Sequence, residues 1–382
     1  MSNYRALITL CLAGFAAIIG FGILFPVLPL YAEGMGASPA EVGLTVAGYS
    51  YVTAVALIPF GMLSDRVGHR RILIAGLLIS SLAPLLYPLA DNLTQLNLVR
   101  AFHGLASAML LPAAVALVLN SVSPERCGEA LGWFGTSTQS ALVVGPVLGG
   151  LLLSHYGFTA SFYSCSVPSF LGLILVLLRS KTIQPIAKTE APTGGSFVWL
   201  KQPKVFAGLV APFFFTMGSG TILTFMPLYG EVLGITATEA GIIIAALYAG
   251  SALLRLPGGK LSDRIGRRPV ILAGLAISGI AMISISFVGF FSGFIAMAIC
   301  YGVGMGLAMS AAYALVADLT SPNMRGLTMG LTTSFLHAGL AFGPTIMGVV
   351  AGMSNYATMF RICTLSLVLG LVVVFSLTQR QR

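Results

Sequence analysis

Between Ala6 and Tyr31 the chain carries no charged side chain. An uncharged apolar run of that length is suited to crossing a bilayer, because about 20 residues at 1.5 Å each are needed to traverse about 30 Å of hydrocarbon. A secretory leader would have a shorter apolar core followed by a small-residue cleavage site, so the run is expected to persist as a helix. Eleven comparable runs follow. Broken at polar and turn-rich points, the spans are expected at 6–31, 41–63, 71–90, 94–119, 128–154, 158–179, 204–230, 237–258, 269–289, 291–317, 326–352 and 356–377. Charged residues make up only 8% of the chain, against about 25% in soluble domains, too few to cover a water-facing surface.

Twelve spans bring both termini to one side, and lysine and arginine select that side. All but three of the 20 basic residues fall on the termini side, among them Arg5, Arg126, Arg325, Arg380 and Arg382. The exceptions, Arg100, Arg255 and Arg361, lie within spans. The opposite side carries Glu33, Glu41, Asp91, Glu231 and Glu239. Cytoplasmic termini are therefore expected, in a plasma or bacterial inner membrane. The same bias accounts for the net charge of +9 without a nucleic-acid partner. The expected partners are the lipid bilayer and a small-molecule substrate, with the chain acting as a monomer. Five scattered cysteines and four histidines suggest neither a disulfide framework nor a metal site.

The polar stretch from Arg179 to Lys204 reads as a linker between two six-helix bundles, 1–178 and 205–382. The bundles are copies at an offset of 198. Asp65 matches Asp263, Pro29-Leu30-Tyr31 matches Pro227-Leu228-Tyr229, and Gly104 matches Gly302. Ser123-Pro124 matches Ser321-Pro322, Gly145-Pro146 matches Gly343-Pro344, and Cys165 matches Cys363. With an even number of spans per copy, both copies have the same orientation. Such parallel repeats suit a transporter whose site lies between the halves.

Each copy carries one charged phrase between its second and third spans. Gly61, Leu63, Ser64, Asp65, Arg66, Gly68, Arg70 and Arg71 follow Gly-x-Leu-(Ser/Ala)-Asp-Arg-x-Gly-Arg-Arg, with His69 in place of an arginine. Gly259, Leu261, Ser262, Asp263, Arg264, Gly266, Arg267 and Arg268 repeat it. The fifth span holds Ala141-Leu-Val-Val-Gly145-Pro146-Val-Leu-Gly149-Gly150. With these motifs the chain resembles a major facilitator superfamily transporter, most closely the twelve-helix drug/proton antiporter branch. The resemblance implies an all-α membrane fold of twelve helices in two parallel repeats, working by rocking of the halves. It implies proton-coupled efflux of small amphipathic compounds, with no cofactor beyond the proton gradient. It also implies a cytoplasmic gate at Gly61, Asp65, Arg66, Arg70, Gly259, Asp263, Arg264 and Arg267, where Asp65 latches the halves in the outward-facing state. The other reading of this phrase is a topology anchor alone. Gly145, Pro146, Gly149 and Gly150 match the antiporter signature, with Ala141 in place of its first glycine. These small residues are expected to let opposite halves slide closely.

Arg100 in the fourth span stands in the superfamily's Arg-x-x-Gln-Gly pattern, with His103 replacing glutamine. Arg100, His103, Gly104 and Ser107 share one helical face. A pocket role for Arg100 competes with snorkelling to the surface. All eleven acids fall at loops or helix ends, so the titratable groups at membrane depth are His103 and His337, the latter in the repeat position of Gln139 and expected to face it. Histidine titrates near neutrality and could carry the proton. Phe21, Phe25, Met217, Phe225, Tyr301 and Met305, with Met309 and Tyr313, form stripes that suit either an adaptable cavity wall or helix packing. Three arginines without deep carboxylates favour neutral, zwitterionic or anionic substrates. A facilitator or importer of an organic anion on the same fold is the competing reading. A membrane enzyme is disfavoured by dispersed histidines and the lack of HExxH or GxSxG motifs.

Overall fold

The computed structural model describes residues 2–123, 126–179, 202–320 and 325–379. The stretch 180–201 of the expected linker, Pro124, Ser321-Pro322, Arg380 and Arg382 lie outside the described residues. Among the described residues eleven α-helices run in chain order: α1 (Ser2–Gly34), α2 (Pro39–Val67), α3 (His69–Leu86), α4 (Leu93–Asn120), α5 (Cys127–Leu178), α6 (Pro203–Val232), α7 (Ala237–Ile265), α8 (Arg267–Ile285), α9 (Phe291–Asp318), α10 (Arg325–Met353) and α11 (Tyr356–Gln379). A short 3-10 turn, Tyr87–Leu89, follows α3. All eleven are long and apolar enough to span a membrane. The twelve expected spans are accounted for because α5 is two helices joined at Gly157, where φ is 77°.

The duplication is visible in the chain's punctuation. Ser38 and Glu41 form a capping box at the start of α2, and Thr236 and Glu239 form its copy at the start of α7. Each reciprocally satisfies orphan backbone donors of the first turn. The sharp turn between α2 and α3 is Gly68 alone, with φ 106°, and its copy is Gly266, with φ 95°. Only glycine takes that backbone region without strain. The charged phrases are therefore not loops as expected. They form the last turn of one helix, a single glycine and the first turn of the next.

Glycines set how closely helices approach. A Cβ on Gly104 would lie 2.5 Å from the Tyr49 carbonyl oxygen, and the copy Gly302 abuts Leu247 in the same way. Contacts between the halves obey the same symmetry. Gly43 of α2 abuts the Pro344 carbonyl of α10, and Gly241 of α7 abuts the Pro146 carbonyl of α5. Gly348 meets Pro39 and Ala40, and Gly150 meets Ala237 and Thr238. Each pair is the other shifted by the repeat, which is how a twofold axis between parallel copies registers in a single chain.

These contacts lie at the end of the bundle away from the termini. Apolar packing follows suit. Ile23, Leu28, Val42 and Phe162, at the far end of the first half, join one cluster with Phe225, Ile243, Leu247 and Phe360 of the second. At the termini end, Leu10, Ile72, Leu73, Leu117 and Phe134 form a cluster confined to the first half, and Val205, Leu209 and Val316 form one confined to the second. The halves are sealed at the far end; toward the termini α10 still touches α2, where a Cβ on Gly330 would lie 3.7 Å from Leu57, whereas the equivalent site on α5, Gly132, has nothing within 4 Å.

Candidate functional site

The face of α4 read from sequence carries the densest buried polar network. Arg100 is only 2% exposed. One guanidinium nitrogen donates to the Val46 carbonyl at 3.0 Å, another to the Tyr87 hydroxyl at 3.4 Å, and the group lies 5.0 Å from the Tyr49 ring centre. Its Nε has no partner among the described residues. The Tyr87 hydroxyl also lies 3.0 Å from Nδ1 of His103. Guanidinium can only donate, so the Tyr87 oxygen accepts from Arg100, and its own proton is available to Nδ1 of His103. His103, Ser107, Tyr49, Phe134 and Thr138 line a pocket within the first half. Arg100 therefore does not snorkel. It is held in the protein interior by groups other than carboxylates.

From Tyr49 an aromatic run leads across the molecule. Tyr49 stacks on Phe21 at 4.5 Å, Phe21 meets Phe25 edge-on at 4.9 Å, and Phe25 stacks on Tyr248 of the second half at 6.0 Å. Phe25 thus reaches the second half, and Phe21 links it to Tyr49. The other candidates are packing groups in this conformation. Tyr301, fully buried, donates to the Phe215 carbonyl at 2.6 Å. Met217, Met305 and Met309 are buried, and Phe225 is buried against Tyr356 and Gly43. Gln139 and His337 are both buried. No hydrogen bond joins them, and Nδ1 of His337 has no partner among the described residues. Tyr49, Tyr87 and Tyr248 escaped the sequence reading. The signal available for Tyr248 was its place seven residues before Arg255, on the same side of α7.

The family profile described as Major Facilitator Superfamily matches residues 10–236 and 208–382. The chain belongs to the major facilitator superfamily. It is a membrane transporter for small molecules, not an enzyme. It is 27% identical over 365 residues to an uncharacterized MFS-type transporter of Methanocaldococcus jannaschii, covering 94% of each chain. It is 29% identical over 387 residues to the multidrug resistance protein MdtG of Enterobacter lignolyticus, covering 98% of this chain and 91% of that one. Against MdtG of Escherichia fergusonii the identity is 28% over 390 residues, covering 99% and 95%. A bacterial homologue of the human lysosomal transporter Spinster, solved inward-facing in unoccupied and occupied forms, shares the fold with TM-scores of 0.82 and 0.84 at 18% identity. The unoccupied form is covered to 97%, with 99% of this chain aligned.

The superfamily's signature phrases lie at the termini end. Asp65 faces His69 at 3.6 Å, and His69 Nδ1 lies 2.5 Å from the Ser64 hydroxyl. Asp263 pairs with Arg267, which also holds Asp318 at 3.0 Å and Ser262 at 2.7 Å. Every ion pair among the described residues stays within one half. Arg66 and Arg264 are exposed, and Arg70 is half-buried. Gly61 and Gly259 of the gate phrases do not mark a close approach of helices. A Cβ there would stand 3.9 Å from Pro112 and 4.0 Å from Ser310, so neither supports a tight crossing in this state. The fifth-span signature divides in two. Gly145 packs against Gly22 and Gly149 against Ile23, both in α1 of the same half, while Pro146 and Gly150 meet α7. The expectation that the whole run faces the opposite half is corrected accordingly.

Proposed function

We propose that the chain is a proton-coupled exporter of small amphipathic compounds, rocking its two halves about a central cleft in a bacterial inner membrane with both termini cytoplasmic. The observation that carries the alternating-access part is the reciprocal seal of Gly43 on Pro344 and Gly241 on Pro146, against the open face of α5 at Gly132 nearer the termini. With cytoplasmic termini this is a state closed to the outside. Likeness to MdtG proteins over nearly the whole length, together with the Gly145-Pro146 run, supports efflux.

Proton coupling is assigned to His103 and His337. Among the described residues no acid is buried, and each stands in a loop or within a turn of a helix end. His103 lines the first-half pocket, and the unpartnered nitrogen of His337 is free to take a proton. In liposomes with an imposed pH gradient, the purified protein is expected to move amphipathic substrates against their gradient. The variant combining His103→Gln and His337→Gln is expected to lose that dependence on the gradient. Full gradient-driven transport by the double variant would exclude histidine coupling. The lack of a buried acid also favours a second reading, a facilitator or importer of an organic anion. Substrate counterflow without any ion gradient would select it.

A further inference from the structure

We propose that Arg255 is the binding residue for an anionic group, a carboxylate, sulfonate or phosphate carried on an apolar body, in the cleft between the halves. The inference rests on the cleft being the transport path and names the class of molecule it takes.

Three residues spaced by seven on α7, Gly241, Tyr248 and Arg255, form a single stripe, because seven residues are nearly two helical turns. Gly241 touches Pro146 and Tyr248 stacks on Phe25, so the stripe faces the first half. Arg255 is the next step along it, about 10 Å further toward the termini. At that level Gly132 of α5, five turns from Gly150 on the same face, has nothing within 4 Å of its Cβ site, and Arg255 is exposed. This exposure is not toward lipid. Leu253 and Leu256, on the other side of α7, are the strongly exposed apolar residues at that level. Arg255 stands about one turn inside the expected span end at 258, and Ile265 ends the helix about 15 Å beyond it.

The other two intramembrane arginines are engaged. Arg100 has Val46, Tyr87 and Tyr49, and Arg361 has Ser286 at 3.2 Å and the Phe287 ring. The Arg255 guanidinium has no carboxylate and no hydrogen-bond acceptor among the described residues. The Tyr248 and Tyr313 hydroxyls are within its electrostatic reach. Its backbone is fixed, because the Ser310 hydroxyl donates to the Arg255 carbonyl at 2.7 Å. An uncompensated guanidinium on a rigid base inside a span offers an anion a charge-assisted pair of donors. The Phe25–Tyr248 stack roofs it with aromatic surface suited to the ligand's apolar part.

The test uses the whole protein in phosphatidylcholine nanodiscs, without any gradient, so that its outcome is separate from that of the coupling experiment. Two probes share one skeleton: 8-anilinonaphthalene-1-sulfonate, and N-phenyl-1-naphthylamine, which lacks the sulfonate. Binding is measured by equilibrium dialysis against empty discs. Arg255→Gln is expected to weaken sulfonate binding about tenfold, as loss of a hydrogen bond to a charged group does, and to leave the neutral probe unchanged. Arg255→Lys recovers part of the loss, keeping the charge without the planar fork. Arg255→Met carries the same comparison if the glutamine variant does not fold. Unchanged sulfonate binding overturns the proposal, and so does equal loss of both probes, which would mark Arg255 as structural. Adding phosphatidylglycerol separates the sources of the anion. Competition seen in the wild type and absent from Arg255→Gln makes a lipid headgroup the occupant. No competition makes the occupant a soluble amphiphile.

Discussion

Replacing Tyr87 with phenylalanine removes a single oxygen from between Arg100 and His103. Arg100 would keep Val46 and the Tyr49 ring, but a second guanidinium nitrogen would join the unpartnered Nε. Nδ1 of His103 would lose its donor. An unsatisfied buried polar group costs about 1–3 kcal/mol, so Tyr87→Phe is expected to lower the unfolding temperature in detergent measurably. Tyr49→Phe keeps the ring under the guanidinium and should cost less. Equal stability of Tyr87→Phe and the wild type would show that the hydroxyl is not a bridge. At this scale the sequence disclosed one side of the network. Arg100, His103 and Ser107 recur at helical spacing on α4 and are legible from it. Tyr87 stands in a 3-10 turn and Tyr49 on α2, and no periodicity within one helix ties either residue to Arg100. Contacts between elements are set by how helices cross, which a spacing rule does not contain.

At the scale of elements, the glycines divide into those that fix a half and those that seal one half against the other. All look alike in sequence, since each reports only a missing Cβ. The partner behind the gap separates them. A Cβ on Gly145 would stand 2.8 Å from the Cα of Gly22 inside one half, with no hinge to relieve it. Gly145→Val is therefore expected to destabilise by about 1–3 kcal/mol, the usual cost of overpacking. Gly43 and Gly241 abut Pro344 and Pro146 across the moving interface. The protein can relieve a valine there by opening the far end. Spin labels at the far ends of α2 and α10 are expected to move apart in Gly43→Val and in Gly241→Val, with little loss of stability. In Gly145→Val the label distance should hold while the melting temperature falls. If Gly43→Val unfolds the protein without changing that distance, the seal is a fixed core contact. The span positions and the offset of 198 were legible because hydropathy and repetition are properties of the chain itself. The helical character of the charged phrases was not, because charge imitates a loop where a single glycine suffices for the turn.

For the molecule as a whole, if the halves rock as proposed, one sequence serves at least two arrangements of them and can specify the bundle without disclosing which end is closed. Here the far end is closed, and the gate residues at the other end show what that leaves idle. The Asp65 side chain is 52% exposed and its one ion contact among the described residues is His69 at 3.6 Å, a pair of the kind that contributes about 0–1 kcal/mol. Asp263 is held by Arg267, which is itself tied to Asp318. The copies thus differ in engagement where they differ in sequence, His69 standing at the position that Arg267 fills in the second copy. If Asp65 latches the halves once the termini end closes, Asp65→Asn should leave the melting temperature of the present state unchanged. It should slow turnover and shift label distances at the termini end toward the open arrangement, because the removed interaction belongs to the other state. Asp263→Asn should instead loosen the contact of α7 with α8 and lower stability, while Arg267 keeps Asp318. Equal turnover in Asp65→Asn and the wild type, or matching effects of the two variants, would mean that Asp65 only anchors the helix end and that closure of the cleft is held by packing alone.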